Sequence, residues 1–359
     1  MLNLMDMLRR FCVVLVFLSM VCSRGIGQID PQFSQFYAAP LMVNPGYTGS
    51  VAEHRLIFNG RIQWPNLPRA YQTMAFSWDY WRPELRSGFG LQVLTDKSGS
   101  AGLRYTTARF NYSYKIVANG WVISPGLYFG YSLKSFDPNK LLFGDQLDYG
   151  QGNLPPSLDP NVGRLKNIQF FDTGVGFLMY TANAWFGASV YQLNQPNASI
   201  IEEDSPWPRR FTIHGGLRLP VYGDHYKSKQ VSTLAPSFMY RAQGGTQQLD
   251  LGLQYVVSPV VVGLWYRGLP IVKNFNGDPS NEALIFSMGL LFNDFEFGYS
   301  YDFTISELSA RSGGAHEISL QYEFGLVTHP RRVKKSKQVL ACPTFNKKPN
   351  LGAGIFRKN

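Results

Sequence analysis

Five histidines and three cysteines are the side chains on which a catalytic or metal centre would most readily be built in this chain of 359 residues. His54, His214, His225, His316 and His329 lie far apart, and no pair of them has the spacing of metal ligands. No Gly-x-Ser-x-Gly elbow offers a nucleophile, and no glycine-rich loop between a strand and a helix offers a phosphate cradle. Asp145 with Asp148, and Glu202 with Glu203 and Asp204, are carboxylate groups in expected loops. They read as solvated clusters, with Ca²⁺ binding as a minor alternative. The sequence therefore predicts no catalytic residue, no cofactor and no metal: a protein that binds rather than an enzyme.

The most concentrated binding chemistry is cationic. Arg331, Arg332, Lys334, Lys335 and Lys337 form a cluster, followed by the compact, largely apolar stretch Cys342-Pro-Thr-Phe345. Residues 325–359 hold nine Lys or Arg and no Asp or Glu. The first 27 residues hold Asp6, Arg9, Arg10 and Arg24. Removing both stretches from the 34 basic and 24 acidic residues leaves 22 basic and 23 acidic between Gln28 and Phe324. The body is near neutral and the net charge of +10 belongs mostly to a tail, which excludes a nucleic-acid partner inferred from overall charge.

At the other end, Arg9 and Arg10 precede an apolar run from Phe11 to Cys22, and Gly25-Ile-Gly27 supplies small residues before Gln28. This is the pattern of a secretory signal peptide over residues 1–27, with Gln28 as the first mature residue. The run falls short of the roughly 20 apolar residues a spanning helix needs. Val21 before Cys22 fits a lipoprotein anchor poorly. Cleavage would remove Cys12 and Cys22, leaving Cys342 without an internal disulfide partner.

The elements that must position any binding residue have a period of two. Ile318, Leu320, Tyr322 and Phe324 alternate with Glu317, Ser319, Gln321 and Glu323. Phe295, Phe297, Tyr299, Tyr301 and Phe303 alternate with Glu296, Gly298, Ser300 and Asp302, and Leu249 to Tyr255 repeats the pattern. Segments of about ten residues with one apolar and one polar or small face suit tilted strands that cross a membrane. A soluble sandwich would alternate too, so connection lengths carry the distinction. About fourteen strands are expected, near residues 55–64, 70–80, 88–96, 102–116, 121–133, 167–180, 184–191, 210–219, 230–241, 247–256, 260–268, 282–292, 294–303 and 314–324. The even connections are mostly tight and several odd ones are long, as in a barrel with short periplasmic turns and longer extracellular loops. The eighth connection is longer than that rule predicts, and the first, third and ninth are short. Trp81, Trp121 and Trp185 at the periplasmic strand ends and Trp64 at an outer end are expected to form interfacial girdles. Gly88, Gly90, Gly174 and Gly176 are expected to ease curvature or leave room in the lumen. Arg109, Asp79, Asp250, Glu296 and Glu323 are expected to face inward, where paired opposite charges would seal rather than conduct. The fold class is all-β: a transmembrane outer-membrane barrel over residues 51–324.

Two segments are more specific. The stretch Gln28-Ile-Asp-Pro-Gln-Phe-Ser-Gln-Phe-Tyr-Ala-Ala-Pro-Leu-Met-Val-Asn-Pro-Gly-Tyr-Thr-Gly49 resembles the opening of the PorP/SprF family, with Gly46 where alanine is usual. The final hairpin, Gly298-Tyr-Ser-Tyr-Asp-Phe-Thr-Ile-Ser-Glu-Leu-Ser309 and then Gly313-Gly-Ala-His-Glu-Ile-Ser-Leu320, resembles that family's C-terminal signature. The resemblance spans Gln28 to Phe324. It implies an outer-membrane component of the Bacteroidota type IX secretion and gliding-motility machinery, assisting secretion or surface attachment of cargo by protein–protein binding. The implied partners are other type IX subunits, exported cargo with a C-terminal sorting domain, and the outer-membrane bilayer. The alternative function is a passive, porin-like channel for small solutes.

Two flanking regions complete the organisation. Residues 28–50, with prolines at 31, 40 and 45, cannot form a long helix. They read either as a partial plug, with Phe33, Phe36 and Tyr37 packed at the periplasmic mouth or in the lumen, or as a leader to the first strand. Asp302, Thr304, Ser306 and Glu307 read as strand end and loop. The tail 325–359 is expected in the periplasm. There its basic cluster either meets an acidic surface, with Cys342 helping to anchor it, or stays solvated.

Overall fold

The computed structural model describes residues 30–51, 54–67, 70–99, 102–137, 146, 157–159, 162, 165–200, 203–222, 232–273, 279–305 and 312–325. Its strands, in chain order, begin with β1 (His54–Gln63), β2 (Tyr71–Arg82), β3 (Ser87–Ser98), β4 (Leu103–Tyr114), β5 (Ile116–Ala118) and β6 (Trp121–Ser135). β7 (Ile168–Tyr180), β8 (Ala184–Tyr191), β9 (Arg210–Leu217), β10 (Leu219–Tyr222) and β11 (Ser232–Gln243) follow. The last are β12 (Thr246–Val257), β13 (Val260–Lys273), β14 (Pro279–Phe292), β15 (Phe295–Thr304) and β16 (Ala315–Phe324).

All sixteen segments belong to one antiparallel sheet, and β1 pairs with β16 to close it. β4 and β5 both pair with β6 and are interrupted only at Lys115. β9 and β10 both pair with β11 and are interrupted at Arg218. Each pair is one wall strand, so the cylinder has 14 strands. Closure leaves no unpaired sheet edge, which a bilayer requires.

Both terminal strands open onto the same end, here the near end. Asn119 and Gly120 make its β5–β6 turn with both φ angles positive (49° and 82°), as a two-residue type I′ hairpin demands. The long connections 136–167 and 192–209 lie at the far end. The near-end connection 223–231 is long and the far-end Gly244–Gly245 turn is tight, the same departures from strict alternation read in the sequence.

Side-chain orientation follows the alternation. Ile318 and Leu320 are 45% and 44% exposed, whereas Glu317 and Ser319 are 1% and 4% exposed. The apolar face is outside and the polar face inside, the reverse of a soluble protein and the arrangement of a barrel solvated by lipid.

An aromatic band marks the near end of the outer surface. Phe295 stacks on Tyr322 at 4.4 Å, Tyr322 on Phe324 at 5.4 Å, and Phe324 on His54 at 5.2 Å. His54 continues it to Tyr80 at 5.1 Å, and Tyr80 to Phe89 at 5.6 Å. Trp121 faces outward as expected. Trp81 and Trp185 do not: both are buried inside, because they share strand parity with the inward Asp79 and Ser189. Position along a strand sets height in the membrane, and parity sets the face; those two tryptophans have the height of a girdle and the wrong parity.

Candidate functional site in the barrel lumen

The hydrophobic core of the protein lies in the lumen, around the segment that precedes β1. Prolines at 31, 40 and 45 break this segment into a 3-10 turn at Phe36–Ala38, one α-helical turn at Pro40–Val43 and a second 3-10 turn at Pro45–Tyr47. Such short turns leave most backbone carbonyls without internal partners, and buried carbonyls need partners. The wall supplies them. Asn59 donates to the carbonyl of Ala38, Tyr191 to that of Leu41, Arg210 to that of Met42 and Ser189 to that of Val43. Lower down, Ser124 donates to the carbonyl of Gly46 and Ser113 to that of Thr48, at 2.8 and 2.7 Å. The inward polar faces of the strands therefore act as the hydrogen-bonding counterpart of an irregular chain.

Three ionic groups hold the segment at successive heights. Asp30, at the far end, takes Arg210 at 2.8 Å, with Gln192, Trp207 and Gln243 donating to the same carboxylate. In the second group the backbone N–H groups of Ser34 and Gln35 donate to Glu317 at 2.6 and 2.9 Å. Arg61 there pairs with both Glu317 and Asp302, and Arg267 with Asp250 at 2.9 Å and Asp302 at 3.2 Å. In the third, Gly49 N–H and the Arg55 guanidinium share Asp79. Charges this buried persist only when paired and hydrogen-bonded. Here the pairing is with the wall and the segment together.

Apolar side chains fill the space between. Phe36 meets the Trp265 ring edge-on at 4.9 Å and Tyr37 stacks on it at 5.8 Å. Phe33 packs separately, in a cluster with Met42, Leu94, Tyr105 and Trp207. At the lower turn the segment lies directly against the sheet. A Cβ on Gly126 would sit 2.5 Å from the Pro45 carbonyl carbon, and one on Gly176 would sit 2.0 Å from Asn44 Oδ1. Gly88 and Gly90 face Thr48 in the same way, while Gly174 makes room for Tyr128. Asn44 Nδ2 and Tyr47 Oη each lie 3.1 Å from a ring nitrogen of His214, so that histidine is a structural bridge.

The structure thus brings Phe36 and Tyr37 together on one wall tryptophan and places Phe33 elsewhere in the lumen. The tail residues Arg331, Arg332, Lys334, Lys335, Lys337 and Cys342 lie outside the described residues, as do His225, His329, Asp145, Asp148, Glu202, Ser306 and Glu307. Glu203 and Asp204 are exposed. Of the expected inward charges, Arg109 lies 3.7 Å from Asp172, and Asp79 and Asp250 are paired as above. Asp302, read as a strand end, is instead a buried anchor of the central ionic group; its parity with Ser300 and Gly298 was the available signal. Asp30, Ser34, Gln35 and Asn44 also carry contacts that no local pattern revealed. Among the described residues no group of His, Cys, Asp and Glu is arranged to hold a metal.

Solved outer-membrane proteins match this chain at low similarity. The P. putida toluene transporter TodX is 10% identical over 79% of this chain and 93% of its own, with a TM-score of 0.44. Omp33 of Acinetobacter baumannii is 5% identical over 77% of this chain and 100% of its own, with a TM-score of 0.42. No curated protein matches the chain. The family model described as type IX secretion system membrane protein PorP/SprF matches residues 26–322. With that match covering the lumen segment and nearly the whole sheet, the chain belongs to the PorP/SprF family and is an outer-membrane barrel component of type IX secretion.

Proposed function

We propose that this barrel assists export or surface attachment of cargo proteins by protein–protein binding, and that residues 28–50 act as a resident plug. Its far-end loops would meet cargo bearing a C-terminal sorting domain, and its near end would meet other secretion subunits. The observation that carries this reading is occupancy of the lumen by residues 30–50, with their carbonyls and carboxylates matched to inward side chains. A diffusive pore needs a hydrated path, and a segment held by buried ion pairs leaves little incentive to vacate one. In this reading the basic residues from Arg331 to Lys337, with Cys342, dock on an acidic periplasmic surface.

The test is affinity purification of the tagged protein from detergent-solubilised outer membranes, with mass spectrometry of what co-purifies. Secretion subunits and a large exported protein are expected. Replacing the five basic tail residues by Gln and Cys342 by Ser should reduce the recovery of periplasmic subunits. A barrel that purifies alone and conducts small solutes in planar bilayers would overturn the reading in favour of a channel.

A further inference from the structure

Among the described residues six arginines are buried in the lumen, and five have a carboxylate at ion-pair distance: Arg55, Arg61, Arg109, Arg210 and Arg267. The sixth is Arg241 on β11, 7% exposed and without an ion pair among the described residues. Its Nη1 donates to the side-chain oxygen of Gln32, its Nη2 lies 3.9 Å from the Met239 sulfur, and its Nε has no partner among the described residues. A buried guanidinium with no carboxylate at ion-pair distance is costly to maintain.

Arg241 lines a cavity of about 290 Å³ at the far end of the lumen, above the central ionic group. That is close to the lower bound, roughly 300 Å³, of pockets that take small ligands. Its walls carry the Gln32, Gln63 and Gln248 amides together with Arg61, Arg267 and Asp302 of the central ionic group. Trp64 stands at its rim with φ of 57°, a left-handed conformation costly for a bulky residue and one that clusters at ligand clamps. Glu282 lines the same cavity and forms no ion pair among the described residues.

We propose that this outer cavity is a binding site for a carboxylate, which seats on the Arg241 guanidinium in place of the Gln32 amide oxygen. The planar fork of arginine suits a carboxylate in two parallel hydrogen bonds. The acid group can come from a free organic acid or from the C-terminus of a peptide. Because Gln32 belongs to the lumen segment, the ligand would bear directly on the segment's outer end. The site does not depend on the secretion role.

The experiment is calorimetric titration of the full-length protein in detergent with three probes: succinate, an N-acetylated tripeptide acid, and the same tripeptide as its C-terminal amide. Saturable binding of the two acids and none of the amide is expected; binding of the tripeptide acid alone would support the site and assign its source to a chain terminus. Arg241→Gln should weaken acid binding roughly 10- to 100-fold, the range for a lost hydrogen bond to a charged group. Glu282→Gln removes a neighbouring negative charge and should strengthen binding. This opposite sign keeps the test decisive if Arg241→Gln misfolds. Equal binding of acid and amide, no binding of either acid, or unchanged affinity in both variants would overturn the proposal.

Discussion

The Ser34 hydroxyl donates to Asp302 Oδ2 at 2.5 Å, joining positions 268 residues apart. The same carboxylate oxygen takes Arg61 at 3.0 Å and Arg267 at 3.2 Å, so one atom links the lumen segment to three strands. Neutralising it by Asp302→Asn leaves two guanidinium groups with reduced compensation in a buried site. A wholly uncompensated charge costs about 3–5 kcal/mol, and with Glu317 and Asp250 still paired to these arginines the cost should fall at or below the low end of that range. The temperature at which the folded, fast-migrating gel form is lost should fall markedly. Ser34→Ala removes one hydrogen bond and no charge, so its fall should be much smaller. Equal stability of Asp302→Asn and the parent would show that the pairs contribute nothing.

Close approach at Gly126 gives a second expectation. Gly126→Val places atoms where the Pro45–Gly46 backbone runs, and the sheet, hydrogen-bonded on both sides, cannot retreat. The lumen segment must leave its seat. Single-channel recording in planar bilayers should show conductance well above that of the parent, with the 14-strand sheet still folded by circular dichroism. An unchanged recording would mean the segment yields locally, and the plug reading would lose its main mechanical support.

Gln32 lines the outer cavity, whereas Ser50 is 2% exposed at the opposite end of the segment. In a Cys342→Ser background, Gln32→Cys should react on intact cells with a membrane-impermeant maleimide, and Ser50→Cys should not. Labelling in the reverse order would invert the assignment of the far end as the outer one.

On the outer surface Phe286, 56% exposed on β14, faces the expected hydrocarbon. Phe286→Arg should destabilise the barrel in lipid vesicles by about 2–4 kcal/mol if it lies near the bilayer midplane, and less toward an interface. Denaturant titration in vesicles measures it. A change within error in lipid would place this face against protein instead.

The sheet was legible because its two environments differ so sharply. Lipid demands apolar side chains at every second position, and the strands expected at 184–191, 247–256 and 294–303 match the observed β8, β12 and β15 to within a residue or so at each end. The interior was harder. Trp81 was misplaced because its height was read without its parity. Asp302 was passed over because its partners, Arg61 and Ser34, lie at the opposite end of the chain. The segment 30–50 has no period at all. Its conformation is set by wall residues such as Ser189 and Tyr191, and nothing local to Leu41 or Val43 announces them.

The seam between the first and last strands has a further consequence. Arg61 on β1 and Glu317 on β16 are direct neighbours across it, and both also hold Ser34. Asn59 on β1 and Ser319 on β16, opposed in the same ladder, likewise reach Ala38 and Gln35. The ladder that completes the cylinder therefore presents its inward side chains to the amino-terminal segment. Closing the seam and seating the amino-terminal segment thus draw on the same side chains, and the two are expected to favour one another during assembly. A protomer whose segment is missing would close the same seam with fewer inward partners, and should close it more slowly.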